Sequence, residues 1–369
     1  MKLSKSIVGI DEANAVSKII CEEGYLGMGA EVGRFETELE DYLSLKNNTV
    51  ACVSSGTAAL HLAITSVIQP GDDVLVPSLT YVATYQAIIG AGGNPISCDI
   101  DSSSWTVSLE NIKNKITKKT KVIIFVHYAS NPMNLDVILD FALKCGIRVI
   151  EDAAHSFGCE FNNELIGSVG DIICFSFDGI KNITCGEGGA VVSKDSNVIN
   201  IVKEMRLLSV ENDTENRLKG QRSWDFDVKR IGYRYHMSNI NAAIGRVQLN
   251  RFKNDFKQKR IKLHNIYTHL LSNNTNIVLS KYPESSIIVP HIFVIRVKNS
   301  LRSKLRSILM GKNIPFGMHY KPNHLLTLFK SNYSLPITEE FYDEAITLPL
   351  HPEISENEII QICSIINNL

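Results

Sequence analysis

The sequence predicts an α/β fold, with a large domain on a mostly parallel sheet followed by a smaller C-terminal α+β domain. Three observations carry this. Short apolar runs rich in β-branched residues recur at 74–77, 121–127, 148–152, 172–177 and 190–193, as strands buried on both faces require. Helical spacing fills the segments between them at 57–68 and 135–146, the second ending at Gly146 where a helix stop belongs. The chain also has 369 residues, beyond the size at which a single core usually stops growing.

Past Ser238 the pattern changes to one long helical stretch, 239–271, without proline and with its charges in the second half. It is expected to link two lobes, so the division is set at 1–245 and 246–369. The remainder mixes a strand-like run at 286–297 with a helical run at 300–313 and a closing helix near 356–368. Neither repeats nor low-complexity segments interrupt it.

Charge excludes one class of partner. The 38 basic and 39 acidic side chains leave a net charge of -1 and form no basic stripe, so nucleic acid is not an expected partner. Eight cysteines are scattered without a CxxC pair or a Cys/His spacing suited to a metal, and read as reduced, mostly buried small hydrophobes. The start has no long apolar run, and no stretch of about 18 apolar residues occurs to span a bilayer. The expectation is a soluble, cytoplasmic protein with no membrane partner.

Three fragments carry chemistry. In "VSSGTAALHLAI", Ser54, Ser55, Gly56 and Thr57 stand immediately before a helix, where free N–H groups, hydroxyls and the helix dipole suit a phosphate. By itself this fragment reads first as an ordinary Ser/Thr cap. "RVIEDAAHSFG" puts Asp152 at the carboxyl end of a strand, where open α/β sheets place their ligands. Such a carboxylate needs a cation, and a protonated pyridine nitrogen is one; a helix cap or a structural ion pair is the equal alternative. After one more strand comes Lys181, between an apolar run and Gly186, Gly188 and Gly189, a setting that favours the neutral, nucleophilic amine. A phosphate cradle, an acid and a lysine in this order outweigh the reading of a surface lysine.

These pieces, with "GYLGMGAEVGRFETEL", "VPSLTYVATYQAI", "KNITCGEGGAVV", "GYRYHMSNINAAIGRVQL", "HYKPNHL" and "LPLHPEIS", resemble the DegT/DnrJ/EryC1/StrS family of sugar aminotransferases nearly end to end. The resemblance implies the aspartate-aminotransferase-like fold (fold type I of pyridoxal-phosphate enzymes) and pyridoxal 5'-phosphate as cofactor. It makes Lys181 the catalytic lysine, bonded to the cofactor and shuttling the proton. Asp152 pairs with the pyridine nitrogen; Gly56, Thr57, Ala58 and Ser176 serve the phosphate; Tyr81 stacks on the ring. His155 stands where many relatives have Gln or Glu near the ring hydroxyl. Arg234 replaces the usual asparagine that reaches the cofactor phosphate of the neighbouring subunit in a homodimer; its guanidinium suits that phosphate or, as the alternative, an acidic group on the substrate. Asp178, His319, Tyr320 and His324 are the implied substrate contacts. Two histidines this close to each other suggest no metal, since Pro322 lies between them without nearby acids.

The implied reaction moves an amino group from L-glutamate to a nucleotide-linked keto-deoxysugar. A dTDP- or GDP-4-keto-6-deoxyhexose is the implied acceptor, and surface polysaccharide or O-antigen the product's destination. The 3-keto branch of the family, its sugar dehydratases and a non-catalytic regulatory relative are the alternatives. The dehydratases typically carry histidine at the position of Lys181, which separates them from this chain.

Overall fold

The computed structural model describes residues 1–222, 224–331 and 334–369. Seven strands form the main sheet: β1 (Val50–Val53), β2 (Asp73–Pro77), β3 (Asn94–Cys98), β4 (Thr120–Val126), β5 (Arg148–Asp152), β6 (Ile172–Ser176) and β7 (Gly189–Val192). Their order is β1-β7-β6-β5-β4-β2-β3. The pairs among β2 to β6 are parallel, whereas β7 runs antiparallel to both its neighbours.

Alternate residues of each strand face opposite cores. Val50 and Cys52 join Leu75, Phe125 and Phe175 on one face; Ala51 and Val53 join Val74, Ile124 and Ile150 on the other. Burial on both sides is why these segments read as unbroken apolar runs. β1 and β3 are the two strands the apolar runs did not single out. β1 has four residues, and β3 is an edge strand that begins exposed at Asn94 and Pro95.

Gly146 caps the helix Leu135–Cys145 at φ 66°, as its spacing predicts. The expected long helix starts under a Ser238 cap and runs through Asn239–Arg251 and Lys257–Leu271, with a π-helical turn at Phe252–Phe256 between them. A second, antiparallel sheet of β8 (Ile277–Val278), β9 (Phe293–Val297) and β10 (Ala345–Leu348) packs with three helices around its own apolar core. The run at 286–297 is broken: Ser286–Ile287 pairs with Glu160–Phe161, and β9 starts only at Phe293. Pro290 lies in the break, where its missing N–H costs no ladder bond.

No described helix is long and apolar enough to cross a membrane. Among the described residues all eight cysteines are free, with Cys21 and Cys145 exposed and the rest buried.

Candidate active site

A cleft of about 430 Å³ opens at the carboxyl ends of β1, β2, β4, β5 and β6, the edge where parallel sheets gather ligand-binding loops. Its floor is Lys181, which follows β6 after a short loop. The Lys181 amine lies 3.5 Å from Nε2 of His291. Burial pushes its pKa down to about 8, against the opposing pull of the Asp152 and Asp178 carboxylates. Near neutral pH about a tenth of the lysine is therefore unprotonated, far more than for an ordinary lysine, which favours a nucleophile.

Asp152 ends β5 and is buried. Thr84 donates its hydroxyl to Oδ2 at 2.8 Å, and the Ala154 N–H reaches Oδ1 at 3.3 Å. Burial nonetheless raises the carboxyl pKa above its ordinary value, more than these bonds and the charges of Lys181 and His127 lower it. A cation placed against Asp152 would be stabilised by it and would restore its ionised form.

At the opposite end stands the start of helix Gly56–Thr65. Ser55 is the N-cap, and its Oγ accepts from the Ala58 N–H at 3.1 Å. The Ala58 N–H is thus engaged by the cap, and Ala58 is not among the residues that line the cleft. The first-turn N–H groups of Gly56 and Thr57, which have no intrahelical partner, remain for an anion. Gly56 passes so close to β6 that a Cβ there would lie 2.7 Å from Ser176 Cβ. Ser176 thereby joins the cradle.

Tyr81, the N-cap of helix Val82–Gly90, stays exposed over the cleft with its ring 5.4 Å from that of Tyr320. Tyr320 shares a 3.1 Å hydrogen bond with His155 Nε2. Burial pushes His155 well below its ordinary pKa, with Lys181, His319 and His127 adding to the effect, so the ring is neutral. His319 lines the wall, its Nδ1 2.8 Å from Thr347 Oγ1 and its carbonyl accepting from Tyr128 Oη. Asp178 and Glu187 face the mouth, where burial and the Asp178 charge raise the Glu187 pKa.

Ten of the thirteen residues singled out in the sequence thus meet in one cleft. Besides Ala58, two do not. His324 is buried away from it, with Nδ1 2.7 Å from Ser78 Oγ and Nε2 3.3 Å from Glu339, so both ring nitrogens are engaged in holding the loop. Arg234 is exposed and lies outside the cleft of its own chain, paired through its backbone with Leu207. Sequence reasoning missed Thr84 and His291. Thr84 sits one helical turn after Tyr81, which is a readable signal; His291 interrupts an apolar run directly after Pro290.

These residues fit pyridoxal phosphate, with an anion cradle at one end, a buried acid and a depressed lysine at the other, and aromatic side chains between. The chain matches the model of the DegT/DnrJ/EryC1/StrS aminotransferase family over residues 8–367. It is 35% identical over 344 residues to the GDP-perosamine synthase of Escherichia coli O157:H7, covering 92% of this chain and 90% of that one. It is 27% identical over 363 residues to the dTDP-4-dehydro-2,3,6-trideoxy-D-glucose 4-aminotransferase of Saccharopolyspora spinosa, covering 97% and 94%. The structure of DesV from S. venezuelae, solved in complex with a ketimine intermediate, superposes with a TM-score of 0.88 at 26% identity, covering 97% of this chain and 93% of that one. The chain therefore belongs to the DegT/DnrJ/EryC1/StrS aminotransferase family and is a pyridoxal-phosphate-dependent transaminase.

Proposed function

We propose that this transaminase moves the amino group of L-glutamate to C4 of a nucleotide-linked 4-keto-6-deoxyhexose, carried by dTDP or GDP. The observation that carries the transfer chemistry is the meeting of Lys181, with its lowered pKa, and the buried Asp152 in one cleft. The sugar end rests on likeness. One relative is by name a 4-aminotransferase for a dTDP-4-dehydro sugar, and the other a GDP-sugar synthase.

When bound, the cofactor supplies an electron sink that stabilises negative charge at the amino-bearing carbon. The chain's residues do the rest. Gly56 and Thr57 bind the phosphate through their N–H groups with Ser176 beside them, Tyr81 covers the ring face, and His155 serves the ring hydroxyl. Asp152 keeps the ring nitrogen protonated. Lys181 Nζ takes the proton from the donor carbon and returns it on the other side of the transfer, which suits an amine with a pKa near the working pH. Asp178, His319 and Tyr320 line the sugar end.

The same reading makes the protein a cytoplasmic homodimer in which Arg234 serves the cofactor phosphate of the neighbouring subunit. It divides the chain at residue 245 into a cofactor-binding and a smaller domain, and sends the amino-sugar to surface polysaccharide such as O-antigen. The test incubates purified protein with pyridoxal phosphate, L-glutamate and either dTDP- or GDP-4-keto-6-deoxyhexose, beside Lys181→Ala, and follows products by mass spectrometry. A nucleotide-linked 4-amino sugar made by wild type alone supports the reading. Turnover of glutamate with no amination of either sugar would overturn the substrate assignment.

A further inference from the structure

Asn323 lies in the fragment "HYKPNHL" but has no part in the mechanism above. It opens a short helical turn, Asn323–Leu325, directly after Pro322, and is fully buried. Facing it is the loop 78–81, which leads from β2 to the helix that has Tyr81 as its N-cap. Asn323 binds that loop three times. Its backbone N–H donates to the Ser78 carbonyl at 3.0 Å, and its side-chain Nδ2 donates to the Ser78 and Thr80 carbonyls at 3.2 and 2.8 Å. The Thr80 carbonyl belongs to the peptide that enters Tyr81.

Both side-chain partners are carbonyl oxygens, so the group between them has to supply two N–H donors, and a primary amide does so from one atom. Its Oδ1 is buried without a hydrogen-bond partner among the described residues. That oxygen costs desolvation and returns no bond, so the nitrogen alone accounts for a polar side chain at this place. Other bonds hold only the start of the loop: the Ser78 N–H donates to the Cys98 carbonyl at 3.0 Å, and the His324 ring engages the Ser78 hydroxyl. The Asn323 amide extends the hold to the backbone at Thr80. Tyr81 itself is 57% exposed, so packing does not fix its ring and its aim is set by the backbone that bears it. Three residues before Asn323, Tyr320 places its own ring 5.4 Å from that of Tyr81 and shares a hydrogen bond with His155. One segment, 320–323, thus sets both aromatic rings at the cleft.

We propose that Asn323 is a positioning residue for Tyr81: by binding the Ser78 and Thr80 carbonyls it holds the Tyr81 ring where that ring covers the face of the cofactor. The inference rests on the reading of Tyr81 as the residue that covers the ring, and deepens it. Contact between aromatic faces depends on their separation and offset, so a loop free to shift forfeits it. A ring already held before the ligand arrives also loses less freedom on binding.

The test measures by calorimetry the dissociation constant of pyridoxamine phosphate, which cannot bond covalently to Lys181, in cofactor-free wild type, Asn323→Ala, Tyr81→Ala and the double variant. Tyr81→Ala weakens binding about tenfold. Asn323→Ala weakens it about fivefold in the wild-type background and adds less than about twofold to Tyr81→Ala, because the two residues act on one contact. Wild-type affinity in Asn323→Ala would overturn the proposal. So would an equal loss in both backgrounds, since Asn323 would then act other than through Tyr81. If Asn323→Ala does not fold, Asn323→Ser, whose hydroxyl still donates to one carbonyl, is put through the same comparison with an expected loss of about threefold. Failure of both to fold would show that Asn323 holds the protein together rather than aims one ring, and would also overturn the proposal. Wild-type affinity in Tyr81→Ala would instead overturn the reading of Tyr81.

Discussion

Thr84 donates its hydroxyl to Asp152 Oδ2 at 2.8 Å, and its own oxygen lies 2.9 Å from Thr80 Oγ1. The loop and helix that carry Tyr81 over the cleft thereby also orient the acid beneath it. A carboxylate buried this deeply keeps its charge only with such donors and a cation. Asp152→Asn removes the charge that would hold a ring nitrogen protonated, and is expected to slow the half-reaction with L-glutamate by about a hundredfold or more. Thr84→Val removes one orienting bond and is expected to slow it about fivefold. Rapid-mixing spectroscopy of that half-reaction separates the two, and equal losses would show that Thr84 does more than orient.

Lys181 makes a prediction in pH. Burial lowers its pKa to about 8, so capture of pyridoxal phosphate by cofactor-free protein is expected to rise with pH through a midpoint near that value. An unperturbed lysine would titrate near about 10.4. The Asp178 carboxylate holds the pKa up, so Asp178→Asn shifts the midpoint to lower pH. Lys181→Ala is expected to lose transamination by about a thousandfold or more. A midpoint in Asp178→Asn that stays put or rises would contradict the electrostatic account.

The parallel sheet and the site motifs were legible because each is local: β-branched runs, a small-residue turn before a helix, an acid ending a strand. Asp152 ends one strand that reads clearly and Lys181 closely follows another, whereas Gly56 follows β1, which did not, and was legible from its own small-residue turn. His291 was not legible, because its place depends on the interruption of the strand run around Pro290 and on Arg260 from the long helix, neither of which a linear pattern conveys. His324 shows the converse. Its spacing beside His319 and Tyr320 suggested a shared wall, yet the turn after Pro322 sends it back to Ser78 and Glu339. The π-helical turn at Phe252–Phe256 likewise left no mark on the periodicity.

Gly56 is a packing requirement as much as a cradle. A Cβ there would lie 2.7 Å from Ser176 Cβ and 3.2 Å from its Cα, and the latter is backbone of a central strand that cannot move aside. Gly56→Ala is expected to cost about 1 to 3 kcal/mol of stability and to weaken pyridoxamine phosphate binding as the helix start shifts. Thermal melts with and without that ligand read both effects; unchanged binding would mean that the phosphate sits elsewhere.

His319 and His324 are expected to part company. His324→Ala leaves Ser78 and Glu339 without their ring partner in a packed site, a loss of about 2 kcal/mol in denaturant stability with the glutamate half-reaction unchanged. His319→Ala opens the cleft wall and is expected to raise KM for the keto-sugar while leaving that same half-reaction intact. A kinetic defect in the His324 variant at full stability would return it to the substrate site.

The last prediction concerns acid stability and lies in the C-terminal lobe, far in sequence from the chemistry. His264 is buried between Tyr282 and Phe293, with ring centroids 5.4 and 5.5 Å away, and burial pushes its pKa down to about 4. In the unfolded chain a histidine takes up its proton near about pH 6.5. Between these values the unfolded state binds a proton that the folded state refuses, so this residue erodes stability as pH falls from about 6.5 to about 4, and adds no further loss below. The size of the effect is about 2 to 3 kcal/mol. His264→Phe cannot bind a proton in either state, so its stability difference between pH 7 and pH 4 is expected to be smaller than that of wild type by this amount. Denaturant melts of the two proteins at both pH values measure it. An identical pH dependence would mean that His264 gains access to water in the folded state.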